Sequence, residues 1–183
     1  MNNNMEHFLL KSIKKEIKLP INPLILENTK MDIRHPEYFR AENEKSLQLY
    51  LLLHIEQYFP DVTRLLMYEE AIIHNRTDLG KVDFVFLTNN MKILLVETKY
   101  LDFSKTGSTA KVKRTKSRNK VLEQVLQLKK SIVEFWGLPK TIVKCGVFTN
   151  DKNLQFHPSL GVTTRFVEYG DFLTWIQKNR EKI

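Results

Sequence analysis

Asp83, Glu97 and Lys99 are the residues of this chain whose types and spacing can do chemistry. Glu97 and Lys99 stand two apart near the end of an apolar run, Lys92 to Lys99. Asp83 stands near the start of the preceding run, Gly80 to Leu87. Both runs read as β-strands, and side chains two apart on a strand share a face, so Glu97 and Lys99 point the same way. The rest of both runs is almost wholly apolar, as for central strands covered on both faces. Charges at the ends of such strands are costly unless something pairs or uses them. Two carboxylates aimed at one spot supply hard oxygen ligands for Mg²⁺ or Mn²⁺, and the backbone carbonyl of Thr98 can add a third. A metal held so polarises a phosphoryl oxygen and acidifies bound water. Lys99 can orient or deprotonate that water, or neutralise charge developing on a phosphate. The plain alternative is an Asp–Lys–Glu ion cluster with no chemistry.

A shared site sets a condition on the hairpin between the two strands. A two-residue turn at Asn89–Asn90 would pair Asp83 with Val96 and put Asp83 and Glu97 on opposite faces. An odd-length loop, such as Asn89 to Met91 or Thr88 to Lys92, or a β-bulge, is therefore expected.

The other elements follow from periodicity and breakers. A helix is expected from Ala41 to Tyr58, with Leu47, Tyr50, Leu51, His54 and Tyr58 on one face and Pro60 and Asp61 ending it. His54 reads as a packed helix histidine. Residues 64–73 read as a first strand, and Asn75 to Gly80 as a polar turn. From Ser104 to Lys120 the chain carries Lys105, Lys111, Lys113, Arg114, Lys116, Arg118 and Lys120 and no acid. This composition predicts a mobile basic arm, and its place beside the carboxylates suggests a track for phosphates. A second helix is expected over Asn119 to Trp136, with Val121, Val125, Leu128, Ile132 and Phe135 on one face. A strand over Thr141 to Thr149, a loop over 150–164 with room for a short strand, and a short helix over Asp171 to Lys178 complete the expected domain, 41–183. Ahead of it, residues 1–40 read as a basic amphipathic helix and a connector.

Composition narrows the function classes. The chain of 183 residues carries a net charge of +8, which favours an acidic partner, nucleic acid first. Its one cysteine, Cys145, excludes a disulfide framework or a multi-cysteine zinc site, and its apolar surroundings read as an inert buried thiol. No apolar run is long enough to span a membrane, and the N-terminus lacks a secretory signal, so an intracellular protein is expected. A nucleophile elbow, a P-loop and a dinucleotide loop are all missing. Paired carboxylates also serve glycosidases, but a basic surface and a lysine partner point away from sugars.

The order helix, strand, strand with Asp83, strand with Glu97-Thr98-Lys99, helix, strand resembles the PD-(D/E)xK nuclease superfamily. The likeness covers roughly residues 41–150 and is carried by Gly80-x-x-Asp83 and Glu97-Thr98-Lys99; Val82 stands where the name-giving proline would be. The resemblance implies an α/β fold, a restriction-endonuclease-like αβββαβ core with a central mixed sheet flanked by helices. It implies a Mg²⁺- or Mn²⁺-dependent deoxyribonuclease, with Asp83 and Glu97 as metal ligands and Lys99 as catalytic lysine. It further implies a glutamate early in the first helix, Glu44 before Glu42, and a glutamine on the second helix, Gln124. The exonuclease-type pattern has a tyrosine four residues after that glutamine, where this chain has Leu128. Endonuclease and exonuclease stay open, as do a homodimer and a cleavage-incompetent nucleic-acid-binding or complex-assembly module on the same fold.

Overall fold

The computed structural model describes residues 42–71 and 81–180. The expected N-terminal helix and connector lie outside the described residues, and so does the turn at Asn75 to Gly80.

The first helix, α1 (Glu44–Leu53), is started by Asn43, whose side chain accepts from the Ser46 N–H at 3.0 Å, and Glu44 sits in its first turn where the helix dipole favours an anion. The helix breaks at His54 and resumes as α2 (Ile55–Tyr58). Every residue from Ser46 to Leu52 is buried, so α1 is covered on more than the single face its periodicity predicts. His54 is the packed histidine expected: its ring stacks on Tyr50 at 4.3 Å and its Nδ1 lies 2.8 Å from the Tyr50 carbonyl.

Three strands follow, β1 (Val62–Ala71), β2 (Lys81–Thr88) and β3 (Ile93–Lys99), paired antiparallel in sequence order. The long helix α3 (Ser108–Phe135) then carries the chain back to β4 (Val143–Thr149), which lies parallel to β3. Such a parallel pair requires a crossover of this kind. β5 (Val162–Phe166) pairs parallel with β4 at the sheet edge, and α4 (Tyr169–Arg180) closes the described chain. The sheet order is β1-β2-β3-β4-β5. Phe84, Phe86, Leu94, Val96 and Phe148 pack with α1 and α4 on one face. Val85, Ile93, Leu95, Cys145 and Val147 pack under Val121, Val125, Leu128 and Ile132 of α3 on the other. Gly146 lets Phe59 close on the sheet, since a Cβ there would lie 3.1 Å from the Phe59 ring. Cys145 is buried, its Sγ 3.7 Å from the Val125 carbonyl, and burial pushes its thiol up to about 11.

The expected mobile basic arm is instead helix from Ser108 onward, continuous with the second helix. The residue types explain the correction. No Gly or Pro interrupts Ser108 to Phe135, and Lys, Arg and Ala are strong helix formers. Ala110, Arg114, Ser117 and Arg118, the partly covered positions, extend the inward stripe of Val121 and Val125. Two of the arginines are anchors. Arg114 donates to the carbonyls of Asp102 and Lys105 at 3.2 and 3.0 Å and lies over the Phe103 ring. Arg118 grips Asp151 through Nε and Nη2 at 2.7 and 2.6 Å, and Asp151 is 1% exposed. Removing one partner of a buried ion pair leaves the other charge uncompensated. Arg118→Met should therefore cost about 3 kcal/mol in urea unfolding, at the low end because Arg118 is partly exposed, and a paired Arg118→Met/Asp151→Leu change should recover most of it. A single-variant loss below about 1 kcal/mol, the size of a surface pair, would show that the contact does not anchor the helix.

Candidate active site

The hairpin between β2 and β3 meets the condition for a shared site. Phe84 pairs with Val96 and Leu87 with Ile93, and Thr88 N–H donates to the Lys92 carbonyl at 2.9 Å, closing the three-residue loop Asn89 to Met91. Met91 takes φ 63°, the left-handed conformation such a loop needs at its last residue. The register carried one step further sets Asp83 opposite Glu97.

There the strands splay and side chains replace the ladder. The N–H of Asp83 donates to Glu97 Oε1 at 3.1 Å. The N–H and hydroxyl of Thr98 donate to Asp83 Oδ2 at 2.7 and 2.5 Å. Each carboxylate thus holds a backbone or side-chain donor near the other strand's end, which fixes both beside one gap. In an extended strand the N–H and C=O of one residue leave toward the same neighbour, so the Thr98 carbonyl also faces that gap.

Glu44 and Lys99 complete the cluster: Lys99 Nζ lies 2.6 Å from Glu44 Oε2. Glu42 is engaged elsewhere, accepting from the hydroxyls of Tyr169 at 2.9 Å and Tyr100 at 3.3 Å. Glu44 is therefore the helix carboxylate at this site. Gln124 is exposed on α3 and makes no hydrogen bond to Asp83 or Glu97. The glutamine that does reach Asp83 is Gln48, buried one turn after Glu44, where it also accepts from the Tyr68 hydroxyl at 3.3 Å. Its signal in the sequence is the i, i+4 spacing from Glu44. Lys45, which carries an ion pair with Glu69, is a second cation near Asp83. Of the seven basic residues in the predicted arm, Arg114 and Arg118 are anchors and Lys105 pairs with Asp102 at 3.6 Å. Lys111, Lys113, Lys116 and Lys120 are exposed on α3.

Burial, then the neighbouring carboxylate of Asp83, pushes Glu97 up to about 8, with Glu44 adding to the rise and Lys99 opposing it. Burial likewise raises Asp83, against the pull of its bonds from Thr98 and Gln48. Two buried carboxylates that resist ionising side by side are a fit for a divalent cation. Among the described residues no group of three or more His, Cys, Asp or Glu side chains could hold a metal ion. Asp83, Glu97 and the Thr98 backbone carbonyl could together offer a sparse, hard-oxygen set of the kind that suits Mg²⁺, which keeps several waters.

The pH dependence has a definite sign. Between about pH 4.5, the ordinary value for Glu97, and about pH 8, its folded-state value, the metal-free folded protein holds a proton that the unfolded chain has lost. Stability then falls as pH rises across that window. Asp83 acts in the same direction. Glu97→Gln should flatten this part of the melting-temperature profile, and Mg²⁺ or Mn²⁺ should raise the wild-type melting temperature most near pH 8. A wild-type profile that parallels that of Glu97→Gln would contradict the assignment.

A helix, an antiparallel three-strand meander, a crossover helix and a parallel fourth strand, with the acids at the split between β2 and β3, define the architecture. The fold is restriction-endonuclease-like. No family model matches the chain, and no curated protein matches it. Solved structures similar to it include two of repair or DNA-bound proteins. One is a repair endonuclease from Pyrococcus abyssi, at 16% identity and TM-score 0.43, over 70% of this chain and 48% of that one. The other is an EndoMS–dsDNA complex, at 17% identity and TM-score 0.43, over 70% of this chain and 46% of that one. The likeness thus spans about half the length of each of those chains.

Proposed function

We propose that the chain is an intracellular, metal-dependent nuclease that hydrolyses phosphodiester bonds in DNA. The observation that carries this reading is the reciprocal lock of Asp83 and Glu97 at the splayed strand ends, with Lys99 two residues on. Asp83, Glu97 and the Thr98 carbonyl are the atoms that would hold Mg²⁺ or Mn²⁺. A divalent cation there supplies charge stabilisation for a phosphoryl oxygen and lowers the pKa of water.

The chain's own residues do the rest. Thr98 holds Asp83 in place through two hydrogen bonds, so the carboxylate needs little reorganisation when substrate arrives. Glu44 holds the Lys99 ammonium at the site's mouth, where it can lie against a scissile phosphate and offset charge developing on it. Gln48, buried one turn after Glu44, adds a hydrogen bond to Asp83. The basic face of α3 and the net charge of +8 favour a polyanionic substrate. No helix among the described residues is long and apolar enough to cross a membrane.

The test is incubation of the purified protein with labelled single-stranded, duplex, nicked and branched DNAs, with EDTA, Mg²⁺ or Mn²⁺. Cleavage of at least one DNA that requires the metal supports the reading. Absence of cleavage with every DNA and metal, in a protein that still binds DNA, would favour the binding-module alternative.

A further inference from the structure

Five cations of α3, from Lys113 to Lys120, divide into two groups that composition alone could not separate. Arg114 and Arg118 face inward and are consumed by the connector and by Asp151. Lys113, Lys116 and Lys120 are exposed, and among the described residues none of them has a hydrogen bond or ion pair. Their spacing, three then four, places them on one flank of the helix. Gln124 and Gln127, also exposed, continue the row within an arc of roughly 80° and over a length of about 21 Å.

The fold says which way this flank looks. The other flank turns to β4 and the loop after it: Arg118 reaches Asp151, and the Val125 carbonyl lies by Cys145 of β4. Since α3 lies across β3 and β4, the lysine–glutamine flank looks toward β2, whose start carries Asp83. Local energetics also leave these charges unanswered. α3 has no acid in its first turn and no side-chain cap, and the first acid along it is Glu123. Cations near a helix N-terminus oppose the helix dipole. A row of them kept there is explained by an anion that meets them.

We infer that this flank of α3 docks the backbone of duplex DNA and leads it to the site at Asp83 and Glu97; the direction of the path rests on the nuclease reading. Three features choose the occupant. The row is straight and cationic, and no acid precedes Glu123 on the helix, as a phosphate wall requires. No aromatic residue occurs from Ser108 to Glu134, so the stacking platforms that hold single strands are missing. A helix fits against the wide major groove of B-form DNA and not into the deep, narrow one of duplex RNA.

The experiment is binding of a 20-base-pair DNA duplex in EDTA, read by fluorescence anisotropy across a salt series, with the matching single strand and RNA duplex as further arms. The triple variant K113Q/K116Q/K120Q should bind the DNA duplex roughly tenfold or more weakly and flatten the log affinity–log salt slope by about 2.7. The control K129Q/K130Q/K140Q, on the flank around Leu126 and Val133, should keep the wild-type slope. An unchanged slope in the first triple variant overturns the inference, and so does an equal loss in the control. Wild-type binding of the single strand or RNA duplex as tight as that of the DNA duplex, with the same lysine dependence, overturns the choice of occupant. Because no metal is present, a flattened slope stands even if the wild type cleaves nothing, and that result would defeat only the nuclease reading. Cleavage with an unchanged slope would defeat only the docking surface.

Discussion

Asp83→Asn and Glu97→Gln each lower metal-dependent cleavage at least about 10³-fold while leaving the fold intact, if these carboxylates hold the metal. The size follows from losing several kcal/mol of metal-supplied stabilisation. The stability side comes from the same geometry. Glu97 is 4% exposed and crowded by Asp83, so neutralising it removes an anion that burial already disfavours. The amide oxygen of Gln can still accept from the Asp83 N–H. Glu97→Gln should therefore melt at or above the wild-type temperature near pH 8 without metal, and lose the stabilisation that Mg²⁺ gives the wild type. Asp83→Asn keeps an oxygen acceptor for Thr98 and should behave alike. The measurements are initial cleavage rates and melting curves on the same preparations. Both variants cleaving at wild-type rates would end the catalytic assignment. Marked destabilisation of both, with an inactive wild type, would identify a structural ion cluster.

Lys99→Met is expected to have the second-largest effect, a rate loss of about 10²- to 10⁴-fold, the range for a positioned proton-transfer or charge-stabilising group. Its distinguishing signature is in metal binding. Asp83, Glu97 and Thr98 keep their hydrogen bonds without Lys99. The metal concentration giving half-maximal rate should thus move little in Lys99→Met, and the rate at saturating metal should drop. Stability should change by no more than about 1 kcal/mol, because the partner, Glu44, is 43% exposed. Lys99→Met with full activity at saturating metal would assign Lys99 to the ion pair with Glu44 and nothing more.

Much of the site is legible in the sequence because it lies close together in the chain. Asp83, Glu97 and Lys99 occupy one hairpin, so strand alternation reduces the question of whether the acids meet to the parity of one loop. The loop Asn89 to Met91 has the odd length this demands. Glu44 is reached only through the resemblance, since its ion pair with Lys99 spans 55 positions and no local pattern records it. Gln48 has only its i, i+4 spacing from Glu44 to mark it, and a polar residue inside an apolar helix looks incidental until Asp83 is placed beside it.

The amino-acid sequence by itself determined the order of strands and helices from the first helix to β4, the apolar strands that make a covered sheet, and the basic charge that seeks an anion. These depend on residue type and on separations of a few positions, where hydrophobic period and turn chemistry act directly. Tertiary structure settled that residues 108–120 are helix: their residue types permit it, but a charge-rich segment reads as disordered until its inward positions find partners. Arg118 meets Asp151 across 33 positions, and Arg114 meets the carbonyls of Asp102 and Lys105. Those contacts also decided which cations are spent inside the protein and which, Lys113, Lys116 and Lys120, stay outward. Charges of one sign are alike in composition; only the packing of α3 on β3 and β4 gives them different neighbours, and so different work.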